Sequence, residues 1–346
     1  MLVNGKHYLS VWFENGKIKL INQLLLPHKF EVVSLSKVDE VVSAIKKMVV
    51  RGAPAIGATA AYGMALGVFN APRKGFDSHV SKVAEKIKAA RPTAYDLFHA
   101  VDFVLSSIEK CGSIQEKKRL AFRAADIYAR KSADECRIIG EFGARLIKDN
   151  FRILTHCNAG WLACVDWGTA LAPIYVAHRQ SKKVFVYVDE TRPRLQGAKL
   201  TSWELLNEGV EHAIIADNAA GYYMKKGEID IVIVGADRIA MNGDFANKIG
   251  TYEKAVLAKE NGIPFYVAAP SSTFDVSCES GKDIIIEERD ENEVHYIDGK
   301  RITPHLAKAK NPAFDVTPAK YVTGFIIQKG IIKPKEVKKI FKVGKK

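Results

Sequence analysis

Cys157 is a candidate catalytic residue, because a thiol at its position in the chain could be reactive. It follows the short apolar run Phe151–Leu154 and precedes Asn158-Ala159-Gly160, where we expect a helix to begin. Backbone N–H groups and the helix dipole at such a start favour a thiolate. The thiol could then act as an acid, a base or a nucleophile near neutral pH. The alternative is an inert buried cysteine.

Asp237 is the second candidate, because it follows the apolar run Ile229–Val234 through Gly235-Ala236. A carboxyl group held by its strand at the floor of a cleft has its pKa raised by burial, which suits a general acid at pH 7. The alternative is an ordinary ion pair with Arg238.

Asn247 and Lys248 are candidate anion-binding residues. We expect Asn247-Lys248 to begin a helix that runs to Asn261-Gly262, with Asn247 as its cap. Free backbone N–H groups and the Lys248 ammonium would then face an anion.

Two arginines in the first half of the chain could supply guanidinium forks, whose planar geometry matches phosphate oxygens. They occur in Arg51-Gly52-Ala53 and Arg91-Pro92-Thr93. A phosphorylated small molecule between the two halves is the simplest ligand. An arginine of this kind, taken alone, is more often a surface residue.

The elements that must position these residues are strands of a parallel sheet. Short runs of continuous hydrophobicity, each followed by enough chain for a helix, are typical of strands buried on both faces. Ligands bind beyond the carboxyl ends of such strands, so their polar flanks should converge on one site. We expect residues 126–346 to form a Rossmann-like α/β domain with helices flanking the sheet. The runs are Phe151–Leu154, Val184–Val188, His212–Ile215, Ile229–Val234 and Phe265–Ala268.

Residues 1–125 have a different pattern, which predicts a mainly helical domain with a small β-hairpin. Tyr8–Phe13 and Lys17–Asn22 are joined by Glu14-Asn15-Gly16, and Asn-Gly is a strong hairpin signal. Apolar residues at helical spacing follow from Val38 onward. The expected fold class is α/β.

Composition excludes several classes of protein. The 346 residues are 47% hydrophobic and 26% charged, as in a globular protein of about two domains. Five cysteines, with no Cys-x-x-Cys pair, argue against a disulfide framework or a zinc knuckle and favour a reducing cytoplasm. Neither G-x-G-x-x-G nor a P-loop occurs, so we expect no NAD or ATP.

Neither a membrane nor a nucleic acid is an expected partner. The uncharged stretch Gly52–Pro72 is mostly Ala and Gly, and Gly63 and Gly67 instead indicate a buried helix close to a neighbour. The start of the chain lacks the apolar region of a signal peptide. Of the net charge of +13, +6 lies in Lys333–Lys346, which we expect to be a solvated end. The spacing of Val337, Ile340 and Phe341 allows a short docked helix instead.

Seven sequence blocks lie in order along the chain. They are Arg51-Gly-Ala-Pro-Ala-Ile-Gly57, Arg91-Pro-Thr-Ala94, Thr155-His-Cys-Asn-Ala-Gly160, Asp189-Glu-Thr-Arg-Pro-Arg-Leu-Gln-Gly197, Gly235-Ala-Asp-Arg-Ile239, Asn247-Lys-Ile-Gly-Thr251 and Asn311-Pro-Ala-Phe-Asp-Val-Thr-Pro318. Together they resemble the S-methyl-5-thioribose-1-phosphate isomerases, over a region from about residue 8 to residue 332. That family belongs to the wider fold family of the regulatory subunits of translation initiation factor 2B and of ribose-1,5-bisphosphate isomerase.

The resemblance implies an aldose–ketose isomerase of methionine salvage, which converts a methylthioribose 1-phosphate to the corresponding ribulose phosphate. It implies a homodimer that needs neither metal nor cofactor, with Cys157 and Asp237 as the catalytic pair. The implied substrate-binding residues are Arg51, Gly52, Ala53, Arg91, Gln196, Asn247 and Lys248.

Two other functions stay open. A ribose-1,5-bisphosphate isomerase would need a second cationic pocket, whereas a methylthio group needs apolar walls. A noncatalytic subunit of the initiation factor 2B type could use the basic tail, but it needs neither Cys157 nor Asp237. Trp161, Cys164 and Trp167 depart from the small residues usual in the family, which affects the expected pocket shape.

Overall fold

The computed structural model describes residues 1–91 and 95–342, which form two compact units. Unit 1 contains Met1–Arg137 and Gly160–Gly168. Unit 2 contains Ile138–Ala159 and the chain from Thr169 onward. The expected α/β class, with a helical N-terminal region and a largely parallel sheet after it, is confirmed.

Unit 1 begins with short antiparallel strands. The predicted hairpin is present, and its turn residues Asn15 and Gly16 have φ values of 51° and 75°, as a tight two-residue turn requires. A third strand, which the sequence pattern did not predict, pairs with the second strand of the hairpin. The strands are β1 (Leu2–Val3), β2 (Lys6–His7), β3 (Val11–Glu14), β4 (Lys17–Ile21) and β5 (Val32–Leu35).

Helices make up most of the rest of unit 1. The helix α2 is buried at every residue from Ala55 to Val68. A Cβ at Gly63 would lie 2.7 Å from Val41 Cγ1, and one at Gly67 would lie 2.4 Å from Val83 Cγ1, so the predicted close approach is confirmed. The helices are α1 (Val38–Lys46), α2 (Ala53–Asn70), α3 (Phe76–Lys88), α4 (Tyr95–Glu109) and α5 (Ile114–Gly143), the last of which continues into unit 2.

None of the helices within residues 1–91 and 95–342 is long and apolar enough to span a membrane. The uncharged helix α2 is instead surrounded by protein in the core of unit 1.

Unit 2 is organised around a seven-stranded sheet in the order β17-β16-β12-β9-β6-β7-β8. All neighbouring pairs are parallel except the edge pair β16 and β17. The five predicted strands are confirmed, and β16 and β17 extend the sheet beyond them. The strands are β6 (Phe151–Thr155), β7 (Val184–Asp189), β8 (Glu211–Ile215), β9 (Ile231–Val234), β12 (Phe265–Ala268), β16 (Gly324–Ile327) and β17 (Gly330–Ile332).

Smaller elements of unit 2 surround this sheet. One core cluster joins side chains of β9 and β12 to α8, α9 and α11. The helices are α6 (Ala172–Arg179), α7 (Ser202–Asn207), α8 (Ala220–Lys225), α9 (Thr251–Glu260), α10 (Asn292–His295) and α11 (Val337–Lys342). The remaining strands are β10 (Arg238–Ile239), β11 (Phe245–Lys248), β13 (Tyr296–Ile297), β14 (Lys300–Arg301) and β15 (Phe314–Thr317).

The basic C-terminal segment is folded as far as residue 342, so the expectation of a solvated end is wrong for this part. Val337 is fully buried, and the Phe341 ring stacks on Phe274 with centroids 4.1 Å apart. Burial of the apolar i, i+3, i+4 residues stabilises the docked helix α11, while Lys338 and Lys339 are exposed.

Candidate active site

The carboxyl ends of the parallel strands bring the predicted polar segments to one edge of the sheet. Strands β6 and β9 are neighbours, with Leu154 paired to Val232. Cys157 follows β6 and Asp237 follows β9, so the two candidate catalytic residues come after adjacent strands. This is the location in which open α/β sheets bind ligands.

Cys157 is half-buried and has a φ of 66°, in the left-handed region that costs a non-glycine residue about 1–3 kcal/mol. Its N–H donates a hydrogen bond to Thr191 Oγ1 at 2.9 Å, and its carbonyl accepts one from Thr201 Oγ1 at 2.6 Å. These bonds hold the main chain on both sides of the thiol.

No helix begins at residues 158–160, where the sequence predicted one directly after Cys157. Residues 161–163 form a single 3-10 turn, and the first α-helix after the cysteine begins at Ala172. The prediction that a helix dipole activates the thiol is therefore wrong. Threonine hydroxyls, not helix amides, contact the Cys157 main chain.

Asp237 lies between β9 and β10, and its N–H donates a hydrogen bond to the Ala246 carbonyl at 2.9 Å. The residue is exposed, so the expectation that the strand end buries its carboxyl group is wrong. The reason is that the chain turns after Gly235 into the short strand β10, which leaves the carboxylate outside the sheet. Arg238 binds Asp275 instead, with Nε 2.7 Å from Oδ2.

Gln196 lies in a tightly folded segment after β7. Its side chain is buried, and Gln196 Oε1 has no hydrogen-bond partner within the described residues. The chain turns sharply here, because Thr191 and Leu195 have φ values of 65° and 60°. A Cβ at Gly197 would lie 1.7 Å from the Asp189 carbonyl oxygen, so this close approach requires glycine.

Asn247 and Lys248 are buried strand residues at the end of β11, not the start of a helix as predicted. The helix α9 begins at Thr251, after Gly250 with a φ of 100°. Asn247 Nδ2 donates to Thr251 Oγ1 at 2.9 Å, and Lys248 Nζ donates to the Ala313 carbonyl at 2.8 Å. Pairing of β11 with β15 sets this position, which local spacing did not reveal.

The start of α9 is also occupied by a carboxylate. Asp315 accepts hydrogen bonds from the Gly250 N–H at 2.7 Å and the Tyr252 N–H at 3.1 Å. Burial raises the pKa of Asp315, against these two hydrogen bonds, which lower it. The Gly250 and Tyr252 N–H groups are therefore already used within the protein. The prediction that they bind a substrate anion is wrong.

Arg51, Gly52 and Ala53 lie at the start of α2 in unit 1. Gly52 has a φ of 94°, and a Cβ there would lie 2.3 Å from the Ala163 carbonyl oxygen. Arg51 is half-buried, as is Arg91, which follows α3. Pro92, Thr93 and Ala94 of the predicted Arg91 motif lie outside the described residues.

Sequence reasoning missed a buried charge cluster next to Cys157. His156 Nδ1 lies 2.8 Å from Asp189 Oδ2, and His156 Nε2 lies 2.9 Å from the Ile249 carbonyl oxygen. Lys254 Nζ lies 3.6 Å from the same Asp189 oxygen. Burial raises the pKa of Asp189, while the His156 hydrogen bond and the charges of His156 and Lys254 oppose that rise. Polar residues at the ends of β6 and β7 were the available signal.

His156, Asp189 and Asp217 have ligand atoms within 4.8 Å of one another, the spacing of a metal site. However, both His156 nitrogens already have protein partners, and the buried Lys254 ammonium lies beside Asp189. The Asp217 carboxylate accepts hydrogen bonds from the Thr191 and Arg192 N–H groups, each at 2.7 Å. Asp189 Oδ1 has no hydrogen-bond partner within the described residues, but the Lys254 ammonium already supplies a cation beside this carboxylate, so the bonded His156 and Asp217 do not fit as ligands of a resident metal.

Comparisons with known proteins agree with this architecture. Residues 49–334 match the model of the Initiation factor 2 subunit family. The chain is 53% identical over 325 residues to a methylthioribose-1-phosphate isomerase of Acetivibrio thermocellus, covering 92% of this chain and 95% of that protein. It is 48% identical to the protein of that name from Methylocella silvestris, with 96% of each chain covered.

Solved structures are also similar. The 5-methylthioribose 1-phosphate isomerase of Pyrococcus horikoshii superposes with a TM-score of 0.92 and 45% identity, covering 98% of this chain and 97% of that one. A structure from A. fulgidus described as the delta subunit of translation initiation factor eIF-2B has a TM-score of 0.87 and 43% identity, covering 95% and 97%.

We expect Gly197→Ala to lower the free energy of unfolding by about 1–3 kcal/mol, because the added methyl group forces the backbone away from the Asp189 carbonyl. Urea unfolding measures this change. Gly112→Ala is the matched control, since a Cβ there meets no atom within 4 Å. An unchanged unfolding midpoint in Gly197→Ala would contradict the close approach.

Proposed function

Because this chain belongs to the Initiation factor 2 subunit family and is about half identical to methylthioribose-1-phosphate isomerases, we propose that it is such an isomerase. It converts S-methyl-5-thioribose 1-phosphate to S-methyl-5-thioribulose 1-phosphate in methionine salvage. The observation that carries this function is 53% identity over 92% of the chain. The two candidate catalytic residues after adjacent strands support it.

The substrate itself sets the chemical problem. Its C1 oxygen carries a phosphate, so the sugar ring cannot open to a free aldehyde. The ring must open to a phosphorylated, oxocarbenium-like species while an acid protonates the ring oxygen. In our proposal Asp237 is that acid. Asp237 is exposed, so in our proposal bound substrate covers its carboxyl group and excludes water from it.

Hydrogen must then move from C2 to C1, and two routes are open. Cys157 could be the base and proton carrier for an enolate-type intermediate, or it could stabilise the transition state of a direct hydride shift. In either route the C2 hydroxyl loses its proton as C2 becomes the carbonyl carbon. The ring oxygen therefore takes one proton from the enzyme and the C2 hydroxyl returns one. In the enolate-type route Cys157 also removes the C2 proton and delivers it to C1. Substrate labelled with deuterium at C2 separates the routes, because washout into water eliminates a hydride shift as the sole path.

The other site residues are proposed to bind substrate. Arg51, Gly52, Ala53 and Arg91 of unit 1 would hold the phosphate, for which guanidinium forks and helix-start amides are suited. Lys248 adds a buried cation. The buried Gln196 Oε1 supports a further role, because an acceptor without a protein partner in the described residues is suited to a sugar hydroxyl.

We expect the wild-type protein to isomerise methylthioribose 1-phosphate. Asp237→Asn and Cys157→Ser should each lower kcat about a hundredfold or more, as is usual for groups that transfer protons. Arg91→Ala should mainly raise KM, because it removes a phosphate contact and leaves the reacting groups in place. Steady-state kinetics with the purified chain measure all three.

Ribose 1,5-bisphosphate, assayed in parallel, is the control substrate. Preferential turnover of the bisphosphate would contradict the methylthio specificity.

The similarity to the A. fulgidus structure favours a second candidate function, a noncatalytic initiation-factor subunit. Turnover of neither sugar, together with salt-sensitive binding to a translation factor, would favour that function.

The expected compartment and oligomeric state are part of the proposal. All five cysteines are free thiols, which supports the cytoplasm. Large apolar side chains are exposed in unit 2, among them Ile285 at 89% and Leu306 at 97%, which supports burial against a second copy.

We expect light scattering to give twice the chain mass of 38.3 kDa at micromolar concentration, because pairing would cover these apolar side chains. Leu306→Asp should shift this mass toward that of one chain, whereas Leu2→Asp, at a less exposed leucine in unit 1, is the control. A wild-type mass of one chain would contradict the dimer, and an unchanged mass in Leu306→Asp would contradict this surface.

A further inference from the structure

Two threonine hydroxyls hold the main chain of Cys157. Thr191 Oγ1 accepts the Cys157 N–H, and Thr201 Oγ1 donates to the Cys157 carbonyl. Both threonines are fully buried. The geometry points to Thr191 and Thr201 as positioning residues that fix the direction of the Cys157 thiol. This inference rests on the catalytic role of Cys157 in the proposed function.

The direction of each hydroxyl proton follows from its partners. Thr191 Oγ1 donates to the Asp189 carbonyl at 2.9 Å, and since a carbonyl only accepts, the hydroxyl lone pairs face the Cys157 N–H. Thr201 Oγ1 donates to the Cys157 carbonyl and accepts from Asn158 Nδ2 at 3.2 Å. Each hydroxyl therefore both donates and accepts a hydrogen bond. A valine side chain can do neither.

Both threonines are themselves held in place. The Thr191 N–H donates to Asp217 Oδ1 at 2.7 Å, in a residue whose φ is 65°. Thr201 ends the π-helical segment Gly197–Thr201 and directly precedes α7.

Thr201 is also part of a network of buried hydrogen bonds. Asn158 Nδ2 donates to Glu204 Oε1 at 2.8 Å, and the Tyr175 hydroxyl donates to Glu204 Oε2 at 2.8 Å. Burial, with the nearby Glu204 carboxylate, raises the pKa of Tyr175 well above its usual value, so the phenol keeps its proton. This network of hydrogen bonds fixes Asn158, the residue that follows the cysteine.

The consequence for Cys157 comes from its backbone. A φ of 66° is unfavourable for a residue with a Cβ, and the Cα–Cβ bond direction depends on it. Without the two hydroxyl partners the main chain would relax, and the thiol would move relative to bound substrate. Displacements of this kind lower the rate of the chemical step more than they weaken substrate binding.

The test compares Thr191→Val and Thr201→Val with Thr191→Ser and Thr201→Ser. Valine keeps the shape and loses the hydroxyl, whereas serine keeps the hydroxyl. Thr317→Val is the matched control, because Thr317 is also fully buried but Thr317 Oγ1 has no hydrogen-bond partner within the described residues. Each variant is assayed for kcat and KM with methylthioribose 1-phosphate and for its thermal midpoint.

We expect each valine variant to lower kcat at least about tenfold with KM within about threefold, since misplacement of a reacting group acts on the chemical step. The serine variants should recover most of kcat, and Thr317→Val should match wild type. Valine variants with wild-type kcat, or serine variants as impaired as valine ones, would overturn the inference. If one valine variant does not fold, the variant at the other threonine decides.

A second readout needs no substrate. The rate at which iodoacetamide alkylates Cys157, followed by mass spectrometry of its peptide, should rise severalfold in the valine variants and stay near wild type in the serine variants. Equal rates in all variants would overturn the positioning role. Absence of sugar turnover by the wild type, with these alkylation differences present, would contradict the proposed function and leave the positioning intact.

Discussion

Six strands of unit 2 run in parallel, from β16 to β8, and the positions of Cys157, Gln196 and Asp237 after these strands depend on that shared direction. Because the strands share a direction, their carboxyl ends meet at one edge. Residues far apart in the chain, such as Cys157 and Asp237, then follow neighbouring strands. The buried residues of β9 and β16 provide the rigid base from which these loops leave the sheet.

The loops at this edge are held by polar bonds in a water-poor interior. His156, Asp189 and Lys254 are almost completely buried, and the Asp189 carboxylate lies 3.6 Å from the Lys254 ammonium and 2.8 Å from His156 Nδ1. A buried charge that loses its partner is strongly destabilising, so the members of such a cluster depend on each other. The cluster therefore fixes the chain on the His156 side of the cysteine, while Asn158 and Glu204 fix it on the other.

Three unfavourable backbone conformations lie in the same loops. Cys157, Thr191 and Leu195 all have positive φ values without being glycine. Conformations of this kind persist only where the surroundings over-determine them, and they are often found at functional sites. Here the surroundings are identifiable, since the Asp217 carboxylate binds the Thr191 N–H and the threonine hydroxyls bind Cys157. The strain and its compensation together give one defined loop geometry.

The sequence alone predicts the elements whose signals are local. Five apolar runs gave the parallel strands, Asn15-Gly16 gave the hairpin, and Gly63 with Gly67 gave the buried helix. Its motifs also indicated the family, which the comparisons confirm. These features depend on residues within a few positions of one another, so their periodicity or turn chemistry is visible in the chain.

By contrast, the folded structure sets the surroundings of each candidate residue. It left Asp237 exposed, put Asn247 and Lys248 on β11, and docked α11 through Val337. Thr191 and Thr201 bind Cys157 across 34 and 44 positions of chain. Hydrogen bonds and burial over such separations arise from how strands and loops pack, and that packing has no periodic trace in the sequence.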